Sequence, residues 1–103
     1  MAKKKIVLLC AGGVSTTMLV KKMQEAAAAD GHPDWVIAAY PQADAKEHAA
    51  DADVILLGPQ IRFAKDKVAA ACPGVPIDAI DMKIYGRMDG KGAIDVAKKL
   101  LGM

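Results

Sequence analysis

The stretch Ile6-Val-Leu-Leu-Cys10-Ala-Gly-Gly-Val-Ser-Thr-Thr17 decides how the rest of the chain is read. Its apolar run is too short for a helix and stops at a cysteine. Two glycines and three hydroxyl residues follow before a helical pattern begins, which reads as strand, loop, helix. A first parallel strand over about Lys4 to Leu9 ends at the carboxyl edge of its sheet, where open α/β folds place ligands, so the spacing puts a reachable Cys10 sulfur at a cleft mouth. The loop from Ala11 to Ser15 turns its backbone N–H groups toward one point, beside the unpaired donors and positive dipole end of the next helix. Such a nest holds an anion and favours thiolate over thiol. A nucleophile facing an anion cradle points to phosphate chemistry on sulfur.

Working outward, other loop chemistries are excluded by spacing. A Walker loop needs Gly-Lys before its Ser or Thr, and no lysine precedes Ser15; G-x-G-x-x-G is absent; no second cysteine stands at C-x-x-C spacing. The alternative is structural, with Cys10 as the last core residue of a strand.

A chain of 103 residues suits one domain, 1–103, and its 53% hydrophobic but 4% aromatic content suits thin helices packed on a central sheet. A net charge of +2, with acids and bases interspersed, leaves no broad basic footprint for nucleic acid. Ile6 to Leu9 is shorter than a signal-peptide core, and Leu9 occupies the position where a small residue precedes a lipidated cysteine, so neither a leader nor insertion into a membrane is expected. Cys10 and Cys72 read as thiols of a reducing compartment, the cytoplasm. The two histidines and two cysteines show no ligand spacing, and no metal or other cofactor is expected.

Four apolar runs, each followed by a segment able to form a helix, give the βα rhythm of a parallel sheet covered on both faces. The first helix starts near Ser15 or Thr16, either able to cap it, carries Leu19, Val20, Met23 and Ala27 on one face, and ends at Asp30, Gly31 and Pro33. The second strand, Trp35 to Tyr40, is placed at an edge, and Pro41 to Asp51 allows only a short helix with His48 exposed. Asp53 to Leu57 is a central strand. Gly58-Pro59-Gln60 then shares the Cys10 rim, and Ile61, Ala64, Val68 and Ala71 give a helical face whose remainder, including Lys67, is solvated. Cys72 reads as a packing residue. Val75 to Ile80 is the fourth strand, with Asp81 at its carboxyl end to cap the following turn or orient a neighbour. Tyr85-Gly86-Arg87 reads as a loop bordering the cleft, and Asp89-Gly90 opens a last helix with Ala93, Ile94, Ala97, Leu100 and Leu101 inward.

Together, the strand into Cys10, the Gly-Val-Ser-Thr-Thr loop, Leu-Leu-Gly-Pro-Gln-Ile at 56–61 and Ile-Asp followed by Tyr-Gly at 80–86 resemble the IIB component of the lactose, cellobiose and chitobiose class of the bacterial sugar phosphotransferase system. The resemblance covers essentially the whole chain. It implies a three-layer α/β fold: a four-stranded parallel sheet in the order 2-1-3-4, with helices on both faces, as in small tyrosine phosphatases. It also implies a phosphotransferase whose Cys10 accepts phosphate from a histidine of the IIA component and passes it to a sugar held by the membrane component IIC. Ala11, Gly12, Gly13, Val14, Ser15, Thr16 and Thr17 form the phosphate cradle on that mapping, and Gln60, Asp81 and Tyr85 are rim candidates. The loops after strands one, three and four become the docking surfaces. The competing reading is a small phosphatase or arsenate reductase, whose loop runs C-x-x-x-x-x-R. Here Thr16 stands at the arginine position, and loss of a guanidinium clamp disfavours hydrolysis.

Overall fold

The computed structural model describes residues 4–10 and 15–102, with 15–17 described by backbone only. The cradle residues Ala11 to Val14, and the side chains of Ser15, Thr16 and Thr17 with the cap expected there, lie outside the described residues.

The chain runs β1 (Lys5–Cys10), α1 (Ser15–Ala29), β2 (Val36–Pro41), a 3-10 turn (Gln42–Asp44), α2 (Ala45–His48), β3 (Val54–Leu57), a 3-10 segment (Pro59–Ala64), α3 (Lys65–Ala71), β4 (Ile77–Ala79), α4 (Met82–Gly86) and α5 (Gly90–Leu101). The sheet is parallel with strand order β2-β1-β3-β4, so β2 is at an edge as the sequence implied.

Alternation along the two central strands builds the layers. Ile6 and Leu8 of β1, with Val54 and Leu56 of β3, share one cluster with Leu19 and Met23 of α1 and Ile94 and Ala97 of α5. Val7, Leu9, Ile55 and Leu57 share the other with Ala45, Val68 and Cys72. Every side chain of β3 is buried, which explains why its sequence reads as an unbroken apolar run. Each large aliphatic residue so buried contributes about 1.5–3 kcal/mol.

Local signals fix the ends of the helices. Gly31, at φ +88°, takes the left-handed position that stops α1. Asp81 accepts a bond from Lys83 N–H at 2.7 Å and caps α4; Asp89 accepts from Gly92 N–H at 3.0 Å and caps α5. Helices α1 and α5 approach so closely that a β-carbon on Gly90 would lie 2.2 Å from the Lys22 carbonyl carbon. Only glycine permits that crossing.

Several expectations need correction. The second strand begins at Val36, because Trp35 N–H bonds back to the His32 carbonyl at 3.3 Å and belongs to the preceding turn. The helix expected from Ile61 is interrupted: Ile61 has φ −120° and ψ 25°, the residues to Ala64 form 3-10 turns, and regular α geometry starts at Lys65. Ile61, Ala64 and Val68 are nonetheless buried as their spacing implied. The fourth strand is confined to three residues, Ile77–Ala79. Tyr85 and Gly86 lie within helix α4, with Arg87 as its C-cap, in place of the expected loop. His48 is half-buried rather than exposed, stacked on the Tyr40 ring with centroids 4.2 Å apart.

Candidate functional site

Cys10 is the last residue of β1, a strand flanked on both sides by partners. On the β3 side the pairing runs one residue beyond that strand: Gly58 N–H bonds the Leu9 carbonyl at 2.9 Å, which draws the end of β3 against the end of β1. Gly58, Pro59 and Gln60 thus stand on the same sheet edge as the cysteine. Helix α1 opens at Ser15, five residues on from Cys10 in the sequence.

Cys10 is 4% exposed, far less open than its sequence position implied. The residue lines a cavity of about 560 Å³ bounded by the segment after β2, by α2 and by α3. Most of the cysteine is covered by protein. The sulfur lies 3.9 Å from the Tyr40 carbonyl oxygen, a long, weak thiol contact to the neighbouring strand.

The rim candidates divide between two places. A β-carbon built on Gly58 would lie 3.0 Å from Gln60 Oε1, 3.6 Å from the Leu9 carbonyl oxygen and 3.8 Å from Tyr85 Cε1. Gln60 and Tyr85 therefore gather around Gly58, next to the residue preceding Cys10. Asp81 is committed to capping α4. None of the three lines the cavity at Cys10.

What sequence reasoning missed is the opposite flank. Gln42, Lys46 and Lys67 line that cavity together with Cys10. They come from the segment after the second strand and from α3, and in sequence both lysines look like ordinary solvated helix positions. Strand order, which sets β2 beside β1, and the packing of α3 bring them to the cysteine.

Cys72 behaves differently. It is 1% exposed, its Sγ donates to the Ala45 carbonyl at 3.5 Å, and burial pushes its thiol pKa upward. The two sulfurs are not joined in a disulfide. Other titrating groups with shifted pKa values lie in surface ion pairs. The hydrogen bond from Lys98 at 2.7 Å holds Asp30 below the ordinary carboxylate range and raises Lys98, while Lys5 lowers Asp51 in the same way.

A three-layer parallel sheet ordered 2-1-3-4, with a cysteine closing a central strand, defines a domain with the low-molecular-weight phosphatase type of fold. Comparison with known proteins then narrows the class. Residues 5–96 match the family described as PTS system, lactose/cellobiose specific IIB subunit. A galactose-specific EIIB component from Lactococcus lactis subsp. cremoris is 45% identical, with 98% of this chain and 99% of the relative covered. A cellobiose-specific EIIB component from Lactococcus lactis subsp. lactis matches at the same identity and coverage. An oligo-beta-mannoside-specific EIIB component from Bacillus subtilis is 40% identical, over 95% of this chain and 96% of the relative. Among solved structures, the cellobiose-specific IIB component of Borrelia burgdorferi superposes with a TM-score of 0.79 at 30% identity, covering 98% of this chain and 94% of that one. The lactose-specific IIB domain of Streptococcus pneumoniae shares the fold, with a TM-score of 0.82 at 19% identity over 95% and 97%. The chain belongs to the lactose/cellobiose-specific IIB family of the sugar phosphotransferase system. Components of this family are phosphotransferases. Among the described residues, no helix is long and apolar enough to cross a membrane.

Proposed function

We propose that this chain, as a single domain over residues 1–103, carries a phosphoryl group on Cys10 between two protein partners in the cytoplasm. The donor is the phosphohistidine of a IIA component. The Cys10 thiolate attacks phosphorus, the S–P bond forms as the P–N bond breaks, and the bonding pair returns to the imidazole nitrogen. In the second step a hydroxyl of a sugar held by the membrane component IIC attacks the same phosphorus. The S–P bond breaks, the thiolate leaves, and the hydroxyl proton passes to a base on the acceptor.

The observation that carries this reading is Cys10 itself: it ends a central strand at the ligand-bearing edge of a parallel sheet and faces a cavity. A cysteine serving only to fill the interior would resemble Cys72, which lies within the packed cluster between the sheet, α2 and α3. Family membership along almost the whole chain supports the same assignment. In this scheme the amides from Ala11 to Thr17 cradle the phosphoryl oxygens, and Gln60 and Tyr85 border the approach at Gly58. Asp81 holds the end of α4 on that rim. The acceptor is a β-linked sugar of the kind for which cellobiose- and oligo-beta-mannoside-specific relatives are named, and the membrane component that holds it makes the selection.

Mass spectrometry after incubation with a phosphorylated IIA component tests the reading. Phosphate is expected on the Cys10 peptide of the wild type and nowhere on Cys10→Ser. Phosphate on any other residue would falsify it. Turnover of simple phosphate esters or of arsenate by the chain alone would instead favour a phosphatase or reductase.

A further inference from the structure

The cavity at Cys10 has a charge pattern that the thiol and the loop after it do not explain. Among the described residues, Lys46 of α2 and Lys67 of α3, both exposed, stand on its walls, and no acidic residue does. The acids nearest in sequence, Asp44, Glu47 and Asp66, lie outside the lining. Three other lysines meet carboxylates: Lys5 with Asp51 at 2.6 Å, Lys65 with Asp78 at 3.7 Å and Lys98 with Asp30 at 2.7 Å. Among the described residues, neither Lys46 nor Lys67 is in such a pair. The remaining wall is mostly apolar, including Pro41, Ala45 and Val68. Cations on an apolar concavity focus a positive field into it, because low-dielectric walls screen them poorly.

We propose that Lys46 and Lys67 make this cavity an anion entry port and act as positioning residues that bring the phosphorylated imidazole of the donor to the Cys10 sulfur. The proposal rests on the phosphocarrier reading above for the identity of its anion, although the port itself is a property of the cavity. At about 560 Å³ the space lies within the range of about 300–1,000 Å³ usual for small-ligand sites, so it accommodates a phosphoryl group together with the ring that carries it. The port is lined by the segment after β2, by α2 and by α3, which adds a flank to the docking surface expected after strands one, three and four. Because each lysine is exposed, its influence acts through the field on an arriving charge rather than through support of the fold.

Alkylation of Cys10 in the intact chain tests the port without any partner. Iodoacetate carries a negative charge and iodoacetamide does not, while both lose iodide to the same thiolate. At low ionic strength the ratio of their rates at Cys10, read by peptide mass spectrometry, is expected to fall roughly threefold or more in Lys46→Gln/Lys67→Gln. That difference is expected to disappear in about 1 M salt, where the screening length is only about 3 Å. Lys46→Arg/Lys67→Arg is expected to keep the wild-type ratio, and the iodoacetamide rate reports whether each variant is folded around the thiol. An unchanged ratio in the glutamine variant overturns the port, as does a wild-type Cys10 inert to both reagents. With phosphorylated IIA as substrate, the glutamine variant is expected to raise KM more than it lowers kcat; an unmoved KM overturns the positioning role. The two readings fail separately. A charge-dependent ratio without phosphate ever reaching wild-type Cys10 removes the carrier function and leaves the port, whereas normal phosphorylation with an unchanged ratio does the reverse.

Discussion

Cys10 and Cys72 are both counted among the buried residues, at 4% and 1% exposure, yet they occupy different kinds of interior. Cys72 follows α3 and packs among Ala45, Ala49, Val68 and Ile77, with its sulfur directed to a backbone carbonyl. Cys10 ends a strand and borders a cavity whose walls carry lysines. Fractional exposure alone does not separate a packing thiol from a reacting one. What separates them is their neighbours: Cys72 belongs to a packed apolar cluster, whereas Cys10 lines a cavity that Lys46 and Lys67 also line. Burial of the first raises its pKa, since the interior disfavours the charged thiolate.

Exchanging sulfur for oxygen at each position should break the symmetry most strongly. Cys10→Ser is expected to abolish acceptance of phosphate while leaving stability within about 1 kcal/mol of wild type, because the substitution disturbs little packing at a cavity wall. Cys72→Ser is expected to do the opposite, keeping transfer and losing about 1–3 kcal/mol as a hydroxyl replaces a thiol in an apolar cluster. Phosphate transfer and urea titration on the same two variants decide the matter. Equal effects on both readouts at both positions would erase the distinction.

The closed interior is next probed at Gly90. Here a methyl group would meet the backbone of Lys22, with no flexible side chain to give way. Gly90→Ala should therefore force α1 and α5 apart at a cost of at least about 2 kcal/mol. For a domain of this size that lowers Tm by roughly 10 °C, measurable by thermal unfolding. A near-neutral effect would mean that the helix pair is looser than its crossing implies.

Alkali gives a smaller and more specific contrast. With its folded-state pKa raised above the ordinary 9.0, Cys72 keeps its proton in the native protein after the unfolded chain has begun to ionise. The associated stability is complete below the unfolded value and is lost as pH rises toward the folded one. Stability of the wild type should then decline more steeply between about pH 8 and 10 than that of Cys72→Ala. Parallel pH profiles in denaturant melts would show that the thiol is not sealed.

How much of this could be read from the sequence depended on whether a feature is local. The strand into Cys10, the run from Val54 to Leu57 and the inward face of α5 are periodic signals within one segment, and the structure forms each of them within a residue or so. The break at Ile61 leaves no mark in the sequence, because Ile61, Ala64 and Val68 keep helical spacing while the backbone between them winds as 3-10. Tyr85 reads as a loop residue because Gly86 looks like a breaker, although Gly86 only ends a short helix capped by Asp81. The Cys10 cavity was least legible, since Lys46 and Lys67 meet the cysteine through strand order and α3 packing, which no local spacing encodes.

The smallest expected effect lies at Gly58, where the rim meets the core. Its backbone, at φ −61° and ψ 148°, suits any residue, so glycine is not needed there for conformation. An added β-carbon would come within 3.0 Å of Gln60 Oε1, but Gln60 is exposed and its amide can rotate away; the Leu9 carbonyl and the Tyr85 ring lie at ordinary contact distances. Gly58→Ala should thus cost less than about 1 kcal/mol, the size of one strained rotamer. Adding Gln60→Ala should recover that loss, because it removes the displaced group. A loss much larger than this, unrelieved by the second substitution, would show that the rim is packed as rigidly as the α1–α5 seam. The contrast between an adaptable edge and a closed interior would then have to be abandoned.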